Sequence, residues 1–165
     1  MGNMTVYAGA AFEESVSAVT DTPSVDLGSE RVWKGETYKY CFNAGGNSIN
    51  AGYGVALITN ASGYSVAGTG VSDTPLPCVG VIKHTTMTTD AYAWVMTKGF
   101  MTVNTGNSIL AAGVVKIGAQ VVKANKGLTF GVCSGAPTVP FAGYKIQSTA
   151  TASDGAFYAC INCDL

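Results

Sequence analysis

Hydrophobic and polar positions divide most of this chain into short segments. From Trp33 onward, apolar or alternating runs are separated by clusters of Gly, Asn, Ser and Thr. Alternation and the enrichment in β-branched and aromatic residues favour strands over helices. The pattern predicts strands at 37–42, 53–59, 64–68, 78–84, 91–103, 114–122, 128–133, 144–150 and 156–162. Short strands with turn residues between them predict an all-β fold, a small barrel or sandwich of short antiparallel strands.

The stretch from Cys78 to Val103 predicts two strands joined by a Thr-rich hairpin at 85–90. By the period of two, Tyr92, Trp94 and Met96 share one face of the second strand, and the positions between them carry Ala or Val. A face of large residues opposite a face of small ones indicates a strand between the core and a close-packed neighbour. His84 falls where the hairpin turns, so we expect its side chain to be solvated.

The N-terminal segment differs from the rest of the chain. Six of the ten carboxylates precede residue 37, and Pro23 and Gly28 interrupt any long regular element. Residues 10–19 could form a short helix. We therefore predict an extended N-terminal arm over 1–35, which packs on a neighbouring subunit, and a β domain over 36–165. The alternative is that the first 35 residues supply a strand and a loop of the same domain.

Charged residues are scarce, which narrows the classes of function that this chain can have. Charged residues make up 12% of the chain against a usual share of about 25%. The net charge is −1 and 47% of the residues are hydrophobic, a composition that excludes intrinsic disorder. The nine Lys and Arg residues are scattered, so a nucleic-acid-binding surface is not expected. A net charge near zero favours association, as in an assembly, although an ordinary soluble domain with a hydroxyl-rich surface would also fit.

Export signals and a cysteine framework are not expected. The N-terminus lacks a basic region followed by an apolar core, and no apolar run is long enough to span a membrane. Five cysteines are present, an odd number, which argues against a disulfide framework in a chain that is not secreted. Cys160 and Cys163 form a C-x-x-C pair at the end of a predicted strand. Buried or idle thiols are favoured there over a metal or redox site.

Candidate catalytic groups are few. His84 is the only histidine, and the carboxylates beyond Glu36 are Asp73, Asp90, Asp154 and Asp164, which fall in predicted loops or the tail, where Asp serves turn geometry. Residues 63–67, GYSVA, nearly match the serine nucleophile elbow, but no helix is predicted after the serine. No phosphate-binding glycine loop occurs. We therefore expect no enzyme activity, no cofactor and no metal centre.

Glycine turns and valine strands recur in one order along the chain. Ala51, Gly52 and Val55 are followed by a Val-Gly-Val strand at 79–81, by an apolar strand over 99–103, and by a similar Ala-Gly turn at 112–115. Over residues 37–122 this order resembles the small β domain of tailed-phage capsid decoration, or cement, proteins. The arm and the C-terminal hairpin fall outside the resemblance.

The resemblance implies a structural virion protein that binds the outer surface of a phage capsid and reinforces contacts between major capsid subunits. It also implies a homo-oligomer, with a trimer favoured, that is made in the host cytoplasm and ends on the capsid surface. Candidate interface residues are the apolar residues of the arm and the aromatic pair of the long strand: Phe12, Val25, Leu27, Trp33, Tyr92 and Trp94.

The alternative function is a carbohydrate- or receptor-binding β-module of a viral fibre or adhesin. Tyr92 and Trp94, together with Tyr158, could form an aromatic platform for such a ligand. Exposure of these rings in a shallow groove would favour this function, and burial in the core would disfavour it.

Overall fold

The computed structural model describes the chain as β-structure joined by turns. The residues it describes are 15–58, 64–68, 78–106, 110–123, 127–132, 141–152 and 155–163. Within these ranges there is no helix, which confirms the all-β class. The strands are β1 (Val19–Thr20), β2 (Glu30–Trp33), β3 (Glu36–Asn43), β4 (Gly54–Leu57), β5 (Ser65–Ala67), β6 (Cys78–Val81), β7 (Tyr92–Asn104), β8 (Val115–Lys123), β9 (Gly127–Val132), β10 (Phe141–Lys145) and β11 (Ala156–Asn162).

Eight of these strands form a closed ring. Their order is β7, β11, β10, β8, β9, β4, β5 and β3, and β3 pairs with β7 to close it. Closure pairs the strand edges that an open sheet would leave free. The fold is therefore a barrel, with β1 and β2 as extra strands that pair with β7 and β3.

One pairing in the ring is parallel, so the barrel is mixed rather than entirely antiparallel. β3 and β5 are parallel, with Phe42 opposite Ser65 and Asn43 opposite Val66. The chain leaves β3, forms β4, and then returns to place β5 between β4 and β3. A parallel neighbour requires such a crossover. The sequence pattern shows the strands but not this route, and it suggested simple antiparallel neighbours.

The ring consists of two arcs that are consecutive in sequence. Strands β3, β4, β5 and β7 make the first arc, and β8 to β11 make the second. Among the described residues, the arcs meet at two seams of unequal length. At one seam β11 pairs with β7 from Ala156 to Asn162. At the other, β9 pairs with β4 through Gly54 and Leu128.

The buried hydrophobic side chains form two clusters. The first cluster includes Met96, Met101, Phe130, Phe157 and Ile161, and the second includes Cys41, Ile49, Val55, Met87 and Val95. Strand β6 is buried along its length and pairs with β4 and β7, two strands that are not neighbours in the ring. It contributes Val81 to the first cluster and Val79 to the second.

The two faces of β7 pack on these two clusters. Trp94 and Met96 belong to the first cluster, and Ala93 and Val95 belong to the second. The predicted division into a large-residue face and a small-residue face is confirmed. The close-packed neighbour on the small side is the second cluster of the same chain.

The predicted hairpin between residues 78 and 103 forms, but with little pairing. β6 ends at Val81, and it meets β7 only through Val81 opposite Met96. The connection is fixed instead at Met87, which exchanges backbone hydrogen bonds with Ile49, both at 2.8 Å.

The boundaries predicted for β10 are wrong. The strand covers Phe141–Lys145 rather than 144–150. Its register with β8 shifts between Phe141 and Gly143, and Gly143 has a φ of 150°. Residues 146–150 lie outside the strand, because the buried ammonium of Lys145 binds carbonyls of this segment. The C-terminal hairpin is present, since β10 and β11 are antiparallel neighbours.

Residues 15–35 of the predicted arm run along the barrel. Val19 and Thr20 pair with Ala93 and Tyr92, and β2 pairs with β3. The helix suggested for residues 10–19 is not seen over 15–19, which form a turn and the start of β1; the rest of that stretch lies outside the described residues. No helix in the described part of the chain could cross a membrane.

Candidate functional site

The most prominent exposed feature of the barrel is an aromatic surface on three adjacent strands. Phe100 on β7 and Tyr158 on β11 are 49% and 46% exposed, and their rings stack with centroids 6.2 Å apart. Tyr144 on β10 and Ile146 just beyond it are also exposed. We call this surface, formed by Phe100, Tyr144, Ile146 and Tyr158, the outer face.

Strand register places these four residues on one side of the sheet. Phe100 and Tyr144 both lie opposite Cys160 of β11, so the three form a row across the strands. Tyr158 is two residues from Cys160, and the backbone N–H of Ile146 donates to its carbonyl at 3.1 Å. Because side chains alternate along a strand, Met101, Phe157 and Ala159 point inward to the first cluster.

Polar groups lie at the margin of the outer face. Lys98 lies opposite Asn162, and Thr102 lies opposite Tyr158. The side-chain oxygen of Gln147 accepts a hydrogen bond from the backbone N–H of Tyr158 at 3.3 Å. An apolar surface with this margin has the composition of a contact surface: aromatic rings at the centre and hydrogen-bonding groups at the rim.

A buried lysine organises the loop beside this surface. Lys145 has no exposed surface, and its Nζ donates to the carbonyls of Ala111, Gln147 and Thr149 at 2.8, 3.0 and 2.8 Å. Three carbonyls therefore take the place of water around the ammonium. Since Lys145 lies between Tyr144 and Ile146, its anchoring also fixes the position of two residues of the outer face.

A cluster of ionisable groups lies close to the outer face. It consists of Glu36, Tyr38, Lys83 and His84, and we call it the polar cluster. Tyr38 OH lies 2.6 Å from Glu36 Oε2 and 3.3 Å from His84 Nε2, and Lys83 forms an ion pair with Glu36 Oε1. Lys83 Nζ also donates to the carbonyl of Phe100 at 3.1 Å, which joins the cluster to the outer face.

The protons of the polar cluster can be assigned from these contacts. Tyr38 donates its hydroxyl proton in the short hydrogen bond to Glu36 Oε2. The phenol oxygen therefore accepts a hydrogen bond from the Nε2–H of His84. Burial alone would raise the pKa of Glu36, but hydrogen bonds from Lys83 and Tyr38 and the attraction of Lys83 hold it below its ordinary value. Burial, then the contact with Glu36, raises the pKa of Tyr38.

The surroundings of His84 disfavour the charged form of its imidazole. Partial burial and the nearby Lys83 lower its pKa, while Glu36 acts in the opposite direction and Lys34 adds to the lowering. The side chain is exposed, as predicted, but it is not free: its ring stacks on Tyr38 with centroids 6.2 Å apart. The cluster can hold a proton, yet its carboxylate is neutralised by Lys83 and its hydrogen-bonded members include no serine, threonine or cysteine nucleophile.

Sequence reasoning missed the polar cluster because its members are far apart in the chain. Glu36 and Tyr38 share one face of β3 by the period of two, which the sequence does show. Lys83 and His84 come from the loop after β6, and only the tertiary fold brings the two pairs together. Glu36 was also grouped with the carboxylates of the N-terminal segment and was not considered as a member of any site.

The six candidate interface residues are placed differently from one another. Trp33 is 41% exposed on β2, with the Arg31 guanidinium 5.0 Å from its ring centroid. Val25 and Leu27 are half-buried against the first cluster, as is Tyr92. Trp94 is only 4% exposed and belongs to that cluster. Phe12 lies outside the described residues.

The proposed platform of Tyr92, Trp94 and Tyr158 is not assembled. Tyr92 and Trp94 both contact Tyr40, with centroids at 6.1 and 5.1 Å, and all three rings pack in or against the first cluster. Tyr158 lies on the outer face and stacks on Phe100 instead. The exposed aromatic surface is therefore a different one from the surface that the sequence suggested.

Potential metal ligands do not gather into a metal site in the described part of the chain. No group of three or more His, Cys, Asp or Glu side chains lies together there. Cys41, Cys78 and Cys163 are buried, and Cys160 is half-buried on the outer face. Cys133 and the aspartates at 73, 154 and 164 lie outside the described residues.

Comparison with known proteins adds no relative: no family model, no curated protein and no solved structure matches this chain.

Proposed function

We propose that this chain is a structural virion protein that binds the outer surface of a phage capsid and reinforces contacts between major capsid subunits. The observation that carries the proposal is the outer face, an exposed aromatic surface on a rigid, closed barrel. The resemblance of residues 37–122 to capsid decoration proteins supplies the partner. This function needs adhesion and no catalytic step.

The outer face has the properties that a capsid contact requires. Aromatic residues bury a large area with little loss of side-chain entropy, and they dominate the binding energy of protein interfaces. Phe100 and Tyr158 already stack on each other, so their positions are largely fixed before binding. The four residues of the outer face are uncharged, which suits a partner recognised by shape and apolar contact.

Self-association is assigned to a second surface, the β2 edge. Among the described residues β2 pairs with β3 alone, so its other side can meet a second copy of the chain. Trp33 and Val32 are exposed there. We propose a homo-oligomer, with a trimer favoured, in which this edge faces a neighbouring copy while the outer face rests on the major capsid protein. The assembly would form in the host cytoplasm and reside on the virion surface.

The test is co-sedimentation of the purified chain with expanded shells of the cognate major capsid protein that lack their decoration protein. We expect the wild-type chain to sediment with the shells. A Phe100→Ser/Tyr158→Ser double variant should bind at least roughly tenfold more weakly, because it removes the central aromatic pair. Ala44→Ser is the control, since it changes an exposed apolar side chain outside both the outer face and the β2 edge and should leave shell binding unchanged.

Two results would overturn parts of this proposal separately. Equal binding by the double variant, with loss of binding by Trp33→Ser, would move the capsid contact from the outer face to the β2 edge. Failure of the wild-type chain to sediment with any shell would reject the capsid function.

The exposed rings also support the alternative function, a carbohydrate-binding module, because an aromatic ring can stack on the apolar face of a sugar. Saturable glycan binding that depends on Tyr158, by a chain that does not bind capsid shells, would establish the carbohydrate-binding function.

A further inference from the structure

Two buried cysteines from distant parts of the chain lie in contact. Cys163 Sγ is 3.9 Å from Cys78 Sγ, although the two residues are 85 positions apart. Cys78 begins β6, and Cys163 directly follows β11. Both side chains belong to the first cluster. Neither forms a disulfide in this structure.

The surrounding contacts hold the two sulfurs toward each other. Cys163 N donates to the carbonyl of Thr97 at 2.9 Å, which fixes the chain just after β11 against β7. Cys163 Sγ also lies 3.7 Å from the carbonyl of Ala142, and Cys78 Sγ lies 3.2 Å from the carbonyl of Gly80. A disulfide requires the two sulfurs to approach from 3.9 Å to about 2.05 Å.

We propose that Cys78 and Cys163 form a reversible disulfide when the folded protein meets a peroxide oxidant. This inference is independent of the proposed capsid function. The bond would join β6, which pairs with the first arc of the ring, to the end of the second arc. It would therefore link the two arcs covalently.

The reaction balances with hydrogen peroxide as the two-electron oxidant. The thiolate of Cys78 attacks one peroxide oxygen, the O–O bond breaks, and Cys78 becomes a sulfenic acid while hydroxide leaves. The sulfur of Cys163 then attacks the sulfenic sulfur and displaces hydroxide, giving the disulfide. The two thiol protons end on the two hydroxide ions, so the products are one disulfide and two molecules of water.

The order of attack follows from the environment of each thiol. The hydrogen bond from Cys163 lowers the pKa of the Cys78 thiol against the effect of burial, and backbone hydrogen bonds of Gly80 and Val55 act in the same direction as Cys163. By contrast, burial raises the pKa of Cys41 to about 12, so that thiol stays protonated and unreactive. Hydrogen peroxide is close to water in size and can reach a buried pair by local opening.

The adjacent C-x-x-C is not the partner pair. Cys160 lies on the outer face, whereas Cys163 lies in the first cluster. The bond from Cys163 should therefore go to Cys78, a pairing that sequence spacing does not suggest.

The test treats the intact, folded chain with hydrogen peroxide and then blocks free thiols with an alkylating agent. Peptide mapping without reductant should find residues 78 and 163 in one cross-linked peptide, with a mass loss of two hydrogens. The melting temperature should rise by roughly 5–15 °C, because a loop of this length is closed in the unfolded state. Both changes should reverse on addition of dithiothreitol.

Cys160→Ser is the matched control, and it should form the same cross-link with the same rise in melting temperature. A cross-link that contains Cys160 or Cys133 instead would overturn the proposal. Free thiols at both 78 and 163 after complete oxidation of Cys160 would overturn it as well. Neither result depends on whether a variant of a core cysteine folds.

Discussion

Lys145 shows how backbone carbonyls can hold a buried charged side chain. Its ammonium is fully buried and is held by three backbone carbonyls. Burial of an unpaired charge is costly, but hydrogen bonds from a charged donor are stronger than neutral ones and offset part of that cost. The residue therefore ties the loop after β10 to the segment that precedes β8.

Replacement of Lys145 by Met should destabilise the protein by about 3–5 kcal/mol, because three carbonyls lose a charged donor. Urea unfolding followed by tryptophan fluorescence would measure the loss. Lys34→Met, at an exposed lysine, is the control and should change stability by less than about 0.5 kcal/mol. A loss below about 1 kcal/mol for Lys145→Met would show that water can replace the ammonium.

The polar cluster predicts a loss of stability in acid. The folded-state pKa of Glu36 is lowered from 4.5, so its contribution is present above about pH 4.5 and is lost as the pH falls through the folded value. The pKa of His84 is lowered from 6.5, so the folded state resists protonation and stability also falls as the pH drops below about 6.5. Both groups act in the same direction.

Urea unfolding between pH 3 and 8 would separate the two contributions. We expect Glu36→Gln to remove the lower part of the pH dependence and to cost about 1 kcal/mol at pH 7, where the ion pair with Lys83 is lost. We expect His84→Gln to remove the upper part. Profiles of the two variants that match the wild type in shape would show that other groups control acid stability.

At the scale of strands, Gly143 sets the path of β10. Its φ of 150° is rare for other residues, and a Cβ at this position would lie 2.1 Å from the carbonyl oxygen of Cys160. The neighbouring backbone of β11 cannot move without breaking the hairpin. The register shift between β10 and β8 occurs at this residue, so a side chain here conflicts with two strand pairings at once.

We therefore expect Gly143→Ala to cost at least about 3 kcal/mol in unfolding free energy, measured by urea denaturation. Gly35→Ala is the matched control, because Gly35 also has a positive φ, at 79°, but a Cβ there meets nothing within 4 Å. That change should cost only about 1 kcal/mol from backbone strain. Equal effects of the two substitutions would mean that β10 and β11 can separate locally.

Strands with regular alternation were predictable from sequence, and strands defined by tertiary contacts were not. β7 and β11 alternate clearly, and their predicted bounds agree with the structure within one residue. β10 was misplaced because Gly143 looks like a turn residue in the sequence. The strand ends at Lys145, whose buried hydrogen bonds are visible only in the fold. The parallel pairing of β5 also leaves no trace in local pattern, since both parallel and antiparallel strands alternate.

For the candidate site, the sequence identified aromatic side chains but not which of them would be exposed. Trp94 and Tyr158 both lie on alternating strands, and the sequence does not state which side of each strand faces the interior. Tertiary packing decides this, because Trp94 is buried in the first cluster, with the Arg31 guanidinium of β2 5.9 Å from a ring centroid, whereas Tyr158 is exposed. The polar cluster also depends on tertiary packing.

At the scale of the whole molecule, β7 is the strand on which the fold depends most. It pairs with β1, β3, β6 and β11, and its two faces contribute to both clusters. Hydrogen exchange measured by mass spectrometry should find the slowest amides in β7 and fast exchange in β2, which pairs on one side among the described residues. Similar exchange rates in the two strands would contradict this order.

Because the seams are unequal, we expect local opening of the barrel to occur at the shorter one. Beside the Gly54–Leu128 pairing, β9 is held to the other arc by an isolated bridge between Thr105 and Phe130. A transient gap should open here first, while the long pairing of β11 with β7 acts as the hinge. Such a gap would admit small solutes to the interior next to Phe130 without exposing the whole core, so the permeability of this barrel is set by its shortest seam rather than by its global stability.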